Sequence, residues 1–188
     1  MKVRESGMPN EDYWNSFFDV DLILEKLQIN SKIESIVEVG CGYGTFTIPV
    51  SKVINGKLFA FDVDNEMIVS TRKKIELENI KNVELIERDI LKNTTGLANN
   101  SVDYVMLFNI LHHEKPEEIL DETYRILKPG GKLGIIHWRT DIETPRGPSM
   151  EIRTKPEDCV KWVLKSKFQL VFEPQNIEPY HFGLLTIK

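Results

Sequence analysis

Cysteine is scarce in this chain of 188 residues: Cys41 and Cys159 are the whole supply, too few for a disulfide framework or a cysteine-built metal site. No run approaches the ~18 consecutive apolar residues of a membrane-spanning helix. The first twelve residues, MKVRESGMPNED, lack the apolar core of a secretory signal. Excess positive charge is missing too. Lys and Arg number 24 against 29 Asp and Glu, leaving a formal charge of −5 and no global attraction to nucleic-acid phosphates or anionic lipid. Internal repeats and low-complexity tracts are absent. What is present, 41% hydrophobic and 28% charged residues, is the composition of a globular domain. The length suits one domain with a full core and is short for two. These bounds point to a cytoplasmic, enzyme-sized domain with neither nucleic acid nor membrane as its partner.

Against that background one stretch stands out, Val37-Glu38-Val39-Gly40-Cys41-Gly42-Tyr43-Gly44-Thr45. The run Ile36–Val39 is β-branched and apolar apart from Glu38, as a buried parallel strand requires. It breaks into glycines at alternate positions, residues that tolerate positive φ and let a ligand approach the backbone. Thr45-Phe46-Thr47-Ile48 then opens a helix. Strand, glycine turn and helix N-terminus together form a nucleotide-type cradle. A dinucleotide fingerprint, G-x-G-x-x-G, would place glycine at position 45, where threonine stands.

The string E-V-G-C-G-Y-G-T resembles motif I of the class I S-adenosylmethionine (SAM)-dependent methyltransferases, and further stretches extend the likeness. Phe61-Asp62-Val63-Asp64 ends a second apolar strand 22 residues after Gly40, where an acid can accept both ribose hydroxyls. Arg88-Asp89-Ile90 follows a third strand, and Asn109 follows a fourth. The phrase ILKPGGKLGI resembles the family's post-catalytic motif, in which a helix stop and tight turn at Lys128-Pro129-Gly130-Gly131 feed a fifth strand, Lys132 to His137. The resemblance implies SAM as cofactor, S-adenosylhomocysteine (SAH) as product, and a site built from Glu38, Gly40, Cys41, Gly42, Gly44, Asp62, Val63, Asp89, Ile90 and Asn109. It spans residues 35–140 and resembles the type 11, small-molecule branch.

Alternating apolar strands and helical patterns predict an α/β fold in three layers, Rossmann-like. The resemblance implies seven mostly parallel strands in the order 3-2-1-4-5-7-6, the last strand antiparallel, which a short terminal hairpin fits. Within the single domain, residues 1–30 read as a helical lid and 31–140 as the cofactor-binding core. Residues 141–188 read as an acceptor-side loop, a helix and a terminal hairpin turning at Pro174-Gln175-Asn176. In the lid, Asn10 is a candidate N-cap, and Tyr13, Trp14 and Phe17 stand at helical spacing. They either pack on the sheet or wall the pocket, and the leader Glu5–Pro9 reads as exposed.

Methyl transfer from a sulfonium is an in-line displacement governed by positioning, and a base is needed only where the acceptor must lose a proton. His112 and His113, just past the fourth strand, are the catalytic candidates because histidine titrates near neutrality. Adjacent residues rarely face one ion, so His112-His113-Glu114 is not read as a metal site. Strand four lacks the N-P-P-Y or D-P-P-Y ending of nucleic-acid amino methylases, and the prolyl-cysteine of cytosine-C5 enzymes is missing. The cysteines do not suit arsenite methylation. A small-molecule acceptor is expected. Arg139, Arg146 and Arg153, in a stretch carrying Pro145 and Pro148, suggest one with an anionic group. The competing readings are a SAM- or SAH-binding sensor without turnover and, more distantly, a nicotinamide-dependent oxidoreductase.

Overall fold

The computed structural model describes residues 9–113 and 115–188. Seven strands, β1 (Ser35–Val39), β2 (Lys57–Asp62), β3 (Val83–Glu87), β4 (Val102–Phe108), β5 (Leu127–Trp138), β6 (Gln169–Ile177) and β7 (His181–Ile187), form one sheet in the order β3-β2-β1-β4-β5-β7-β6. The first five run parallel, and β7 is antiparallel to both β5 and β6. The fold class is as the sequence patterns predict, and the strand order and reversed last strand are as the resemblance implies. The most apolar strand, β4, lies mid-sheet between β1 and β5. Val105, Met106 and Leu107 there have no exposed surface, as a strand covered on both faces requires.

Strand alternation sorts the core into two layers. On one face Ile36, Tyr104, Met106 and Ile136 pack with Ile23, Leu24, Leu27, Phe46 and Val50, from α2 (Val20–Lys26), α3 (Thr47–Val53) and their flanks. On the other, Val37, Val105, Leu107 and Ile135 meet Ile119, Leu120 and Val163, from α6 (Pro116–Ile126) and α7 (Pro156–Lys165). The remaining helices are α1 (Glu11–Asn15), α4 (Asn65–Leu77) and α5 (Ile90–Asn93). Asn10 accepts from Tyr13 N at 3.0 Å, Asp64 from Glu66 N at 2.9 Å, and α6 and α7 begin on prolines.

Three local expectations change. The turn proposed at Pro174–Asn176 lies inside β6, and the chain reverses at Glu178–Tyr180. A register shift between Phe172 and Gln175 absorbs Pro174, and β6 is the sheet's edge, where a missing N–H is tolerated. Lys128–Gly131 is a bulge within β5 rather than a turn before it. Pairing jumps from Val102↔Leu127 to Tyr104↔Lys132, while Gly130 N and Gly131 O bond the backbone of Lys188. Third, α2 is core rather than lid. Leu27 is fully buried and its carbonyl accepts from Tyr104 Oη at 2.8 Å, so a covering role is left to the segment before Asp19. Of the expected leader, residues 5–8 lie outside the described residues, as does Glu114.

Candidate functional site

The carboxyl ends of β1, β2 and β4 lie side by side, and the glycine loop leaves the first of them. Gly40 N and Cys41 N both donate to Phe61 O, at 2.7 and 3.0 Å, which pins the start of the loop to the tip of β2. Gly40, Gly42 and Gly44 have φ of +80°, +53° and +80°, the left-handed region that glycine occupies without penalty. At Gly40 a Cβ would also sit 2.6 Å from the terminal methyl of Ile110, which would have to move aside. Cys41 is buried and free, and burial pushes its thiol far up, so it fills space beneath the loop.

Glu38 also lies beneath the loop, 2% exposed, accepting Thr47 Oγ1 at 2.5 Å. Burial pushes its pKa up to about 8, against the lowering effect of that bond, with a small further rise from Asp62. It supports the loop from behind, reaching through Thr47 at the start of α3. Asp62 faces the loop itself. Oδ2 accepts from Gly42 N at 2.8 Å and Oδ1 from Asp64 N at 3.0 Å. Burial raises its pKa, and these backbone bonds oppose the rise. Val63 beside it is 54% exposed. Asp89 caps α5 through Oδ1, which accepts from Leu91 N and Lys92 N, while Oδ2 lies 3.5 Å from Lys92 Nζ. Ile90 is buried under the same turn.

Asn109, after β4, has φ +57° and is nine-tenths buried. A non-glycine residue in that region is held by its surroundings, a condition concentrated at functional sites. Its Nδ2 lies 3.4 Å from His181 Nε2, a residue the sequence reading did not single out. His181 opens β7 opposite Trp138, the last residue of β5. Its ring stacks on Phe18 at 4.6 Å and lies 4.4 Å from Trp138.

Around this pair the N-terminal segment contributes an aromatic cover. Trp14 and Phe17 both pack against Trp138, Tyr13 packs on Phe17, and Phe18 meets Phe46. Phe17 is buried, Trp14 partly so, and Tyr13 is 43% exposed. The α1 helix buries none of its own residues. Side chains tie it and its flanks to the glycine loop and α4: Tyr43 Oη donates to Pro9 O at 2.8 Å, Thr45 Oγ1 to Asn15 Oδ1 at 2.7 Å, and Lys74 pairs with Glu11.

The two candidate catalytic histidines stand apart from that cover. His112 is half-buried with its ring 5.6 Å from that of His137. Alternation along β5 puts His137 on the face opposite Trp138. His113 Nδ1 accepts from Lys115 N at 3.4 Å. No group of His, Cys, Asp and Glu able to hold a metal ion occurs among the described residues. Of the three arginines, Arg139 pairs with Asp141 and Glu178, both at 2.8 Å. Arg153 is buried and donates to the carbonyls of Arg139, Arg146 and Pro148. Their guanidinium groups fold the loop onto itself, because a buried Arg must satisfy its donors locally. Arg146 is exposed and lines a surface cleft of about 350 Å³ with Glu143 and Met150.

The donor set fits the ligand that the motifs suggest. Each Asp62 oxygen accepts one backbone bond and keeps acceptor capacity for a hydroxyl, matching a ribose diol. The positive-φ glycines leave the loop backbone open, and Asn109 Oδ1 is buried with no hydrogen-bond partner among the described residues.

Residues 36–131 match the family described as a methyltransferase domain. A demethylmenaquinone methyltransferase of Listeria welshimeri is 30% identical over 144 residues, covering 72% of this chain and 60% of that protein. The chain thus spans about 60% of the length of the curated relatives it matches first. A SAM-dependent methyltransferase from Aquifex aeolicus has the same fold, with a TM-score of 0.83 at 24% identity, covering 95% of this chain and 93% of its own. The [4+2]-cyclase SpnF shares the fold as well, at 14% identity and a TM-score of 0.74, over 90% of this chain and 80% of its own.

Proposed function

The chain belongs to the methyltransferase domain family, and from that premise we propose that it transfers a methyl group from SAM to a small-molecule acceptor. The observation that carries the reading is the junction of the glycine loop with Asp62, through Gly42 N at 2.8 Å, at the carboxyl ends of adjacent parallel strands. In open α/β sheets this is where the ligand crevice lies.

When bound, SAM supplies a methyl group on a positively charged sulfur, to be taken by a nucleophile held in line. The chain's own residues position and enclose. Asp62 accepts the ribose hydroxyls, Val63 gives the adenine an apolar neighbour, and Asp89 Oδ2 accepts its amino group beside Ile90. Gly40, Cys41, Gly42 and Gly44 present backbone to the amino-acid end, Glu38 holds the loop through Thr47, and Asn109 closes the β4 side. Tyr13, Trp14 and Phe17 exclude water, which strengthens every polar contact beneath them. His112 or His113 takes a proton where the acceptor carries one. Among the arginines, Arg146 is the candidate for an anionic group on the acceptor.

The formal charge of −5 supports a small molecule over nucleic acid. Two free, buried cysteines suit a reducing cytoplasm. The Listeria relatives are named for demethylmenaquinone, and at 60% of their length the chain's acceptor is kept at the level of a small molecule. A fold shared with a cyclase keeps a SAM- or SAH-binding protein without turnover as the second reading, since function resides in the site. The discriminating experiment supplies SAM and fractionated small metabolites and measures SAH production. SAH formed only when a fraction is added supports the enzyme. SAH binding with no fraction raising its production favours the sensor.

A further inference from the structure

Asn109 is pinned where the sheet meets the glycine loop. Its backbone N donates to Ile136 O on β5 at 2.9 Å, and the next residue, Ile110, lies against Gly40. Its φ of +57° is in the left-handed region, which asparagine enters more readily than most side chains. The backbone is thus fixed, and only the side-chain amide remains to be set. Oδ1 is buried and takes no hydrogen bond among the described residues. On the other side of the amide, Nδ2 lies 3.4 Å from His181 Nε2. A buried acceptor left open is costly and calls for a ligand that completes it.

An amide and a neutral imidazole in contact have two self-consistent arrangements. In one, Nδ2 donates to the lone pair of Nε2 and the oxygen is the outward group. In the other, Nε2–H donates to the oxygen and the amide NH2 faces outward. The first offers an acceptor, the second only donors. His181 Nδ1 is buried without a partner in both, so it does not choose between them. The structure has the first arrangement, which suits the ammonium group at the amino-acid end of SAM. That arrangement needs an unprotonated Nε2 on a ring that cannot turn away. Burial, with Arg153 adding to it, pushes the His181 pKa down to about 3, so the ring is neutral. It is clamped between Phe18 and Trp138, with Phe18 itself bridged through its backbone to Pro179 and His181 paired to Trp138 across β5 and β7.

We propose that His181 is a positioning residue for the cofactor: its Nε2 holds the Asn109 amide so that Oδ1 is the group presented to the amino-acid end of SAM, where it accepts from the ammonium. This deepens the methyl-transfer reading and rests on it. It makes β7, which carries none of the motif residues, part of the cofactor site. It also makes the cofactor's amino group a requirement for tight binding.

The test uses the full chain and two probes, SAH and 5′-methylthioadenosine, which lacks the amino-acid end. Calorimetry compares wild type, His181→Phe, Asn109→Asp and the double variant, phenylalanine keeping a ring between Phe18 and Trp138. His181→Phe should weaken SAH about tenfold, the loss of one charge-assisted hydrogen bond, and leave methylthioadenosine unchanged. Aspartate presents an oxygen whichever way it turns, so Asn109→Asp should restore SAH binding to His181→Phe and gain less in the wild type. Unchanged SAH affinity in His181→Phe, equal losses for both probes, or an equal gain from Asn109→Asp with and without His181 would reduce His181 to packing and overturn the inference. The imidazole ¹⁵N signals of His181 in the wild-type SAH complex should show a proton on Nδ1 and none on Nε2. A proton on Nε2 would overturn the inference by itself, and these signals decide alone should the variants fail to fold. Failure of the wild type to bind SAH would instead overturn the methyl-transfer reading beneath it.

Discussion

Replacing Glu38 by glutamine should flatten the pH dependence of stability. Glu38 is buried beneath the glycine loop, with Thr47 Oγ1 as its donor, and its pKa rises from 4.5 to about 8, chiefly through burial. A carboxyl raised in the folded state stabilises fully below its unfolded pKa, and that contribution disappears as pH climbs through the folded one. Between the two values the folded protein holds a proton that the unfolded chain has released. Stability then falls by up to about 1.4 kcal/mol per pH unit. From pH 5.5 to 8 this amounts to roughly 3 kcal/mol. Glutamine keeps an acceptor for Thr47 and cannot ionise, so its profile lacks that slope. Asp62, also raised by burial, contributes in both proteins and cancels in the difference. Urea unfolding of wild type and Glu38→Gln across this range reads the effect. Parallel profiles would refute the buried, protonated Glu38. A companion readout follows from charge. The cationic sulfonium and ammonium of SAM favour the carboxylate, so binding at pH 7 should release a proton from the wild type. Calorimetry in buffers of unequal ionisation enthalpy should show that release vanish in Glu38→Gln.

Gly40→Ala should lower SAH affinity tenfold or more and destabilise the fold by about 1–3 kcal/mol, because φ of +80° strains an alanine and the Ile110 Cδ1 methyl, 2.6 Å from its Cβ, must also move. Gly130→Ala has the same φ of +80° but nothing within 4 Å, so thermal unfolding and calorimetry of the two separate contact from backbone strain. Asp62→Asn should weaken SAH by about ten- to a hundredfold through loss of charged hydrogen bonds, and an unchanged affinity by titration would remove Asp62 from the ribose. Tyr43→Phe combined with Thr45→Val cuts two ties to the N-terminal segment. Faster amide exchange at residues 11–18 with weaker SAH binding is expected, and unaltered exchange would show that packing alone holds the segment.

The cofactor half of the site was legible because its geometry is local. A strand, a glycine loop and an acid 22 residues on are tied by a short βαβ crossover, so Gly40, Gly42 and Asp62 could be placed without knowing the rest of the sheet. The aromatic cluster around His181 depends on pairings across long stretches of chain. His181 meets Trp138 only because β7 runs back along β5, and Phe18 reaches His181 from the other end of the sequence. A lone histidine at the start of an apolar strand carries no periodic signal of that meeting. Pro174 misled for a related reason, since its tolerance inside β6 follows from that strand's edge position. Arg139 and Arg153 resemble anion-binding residues in sequence, but their partners lie within the protein. Glu178 stands 39 residues from Arg139, and the acceptors of Arg153 are backbone carbonyls, which no sequence pattern marks.

The central claim, that the glycine loop and Asp62 build a site for SAM, is tested most directly by calorimetric titration of the protein with SAH and, separately, with NAD. The account predicts saturable one-to-one binding of SAH, lost together with the Asp62 carboxylate, and no heat of binding from NAD. Tight binding of NAD with no response to SAH would contradict it.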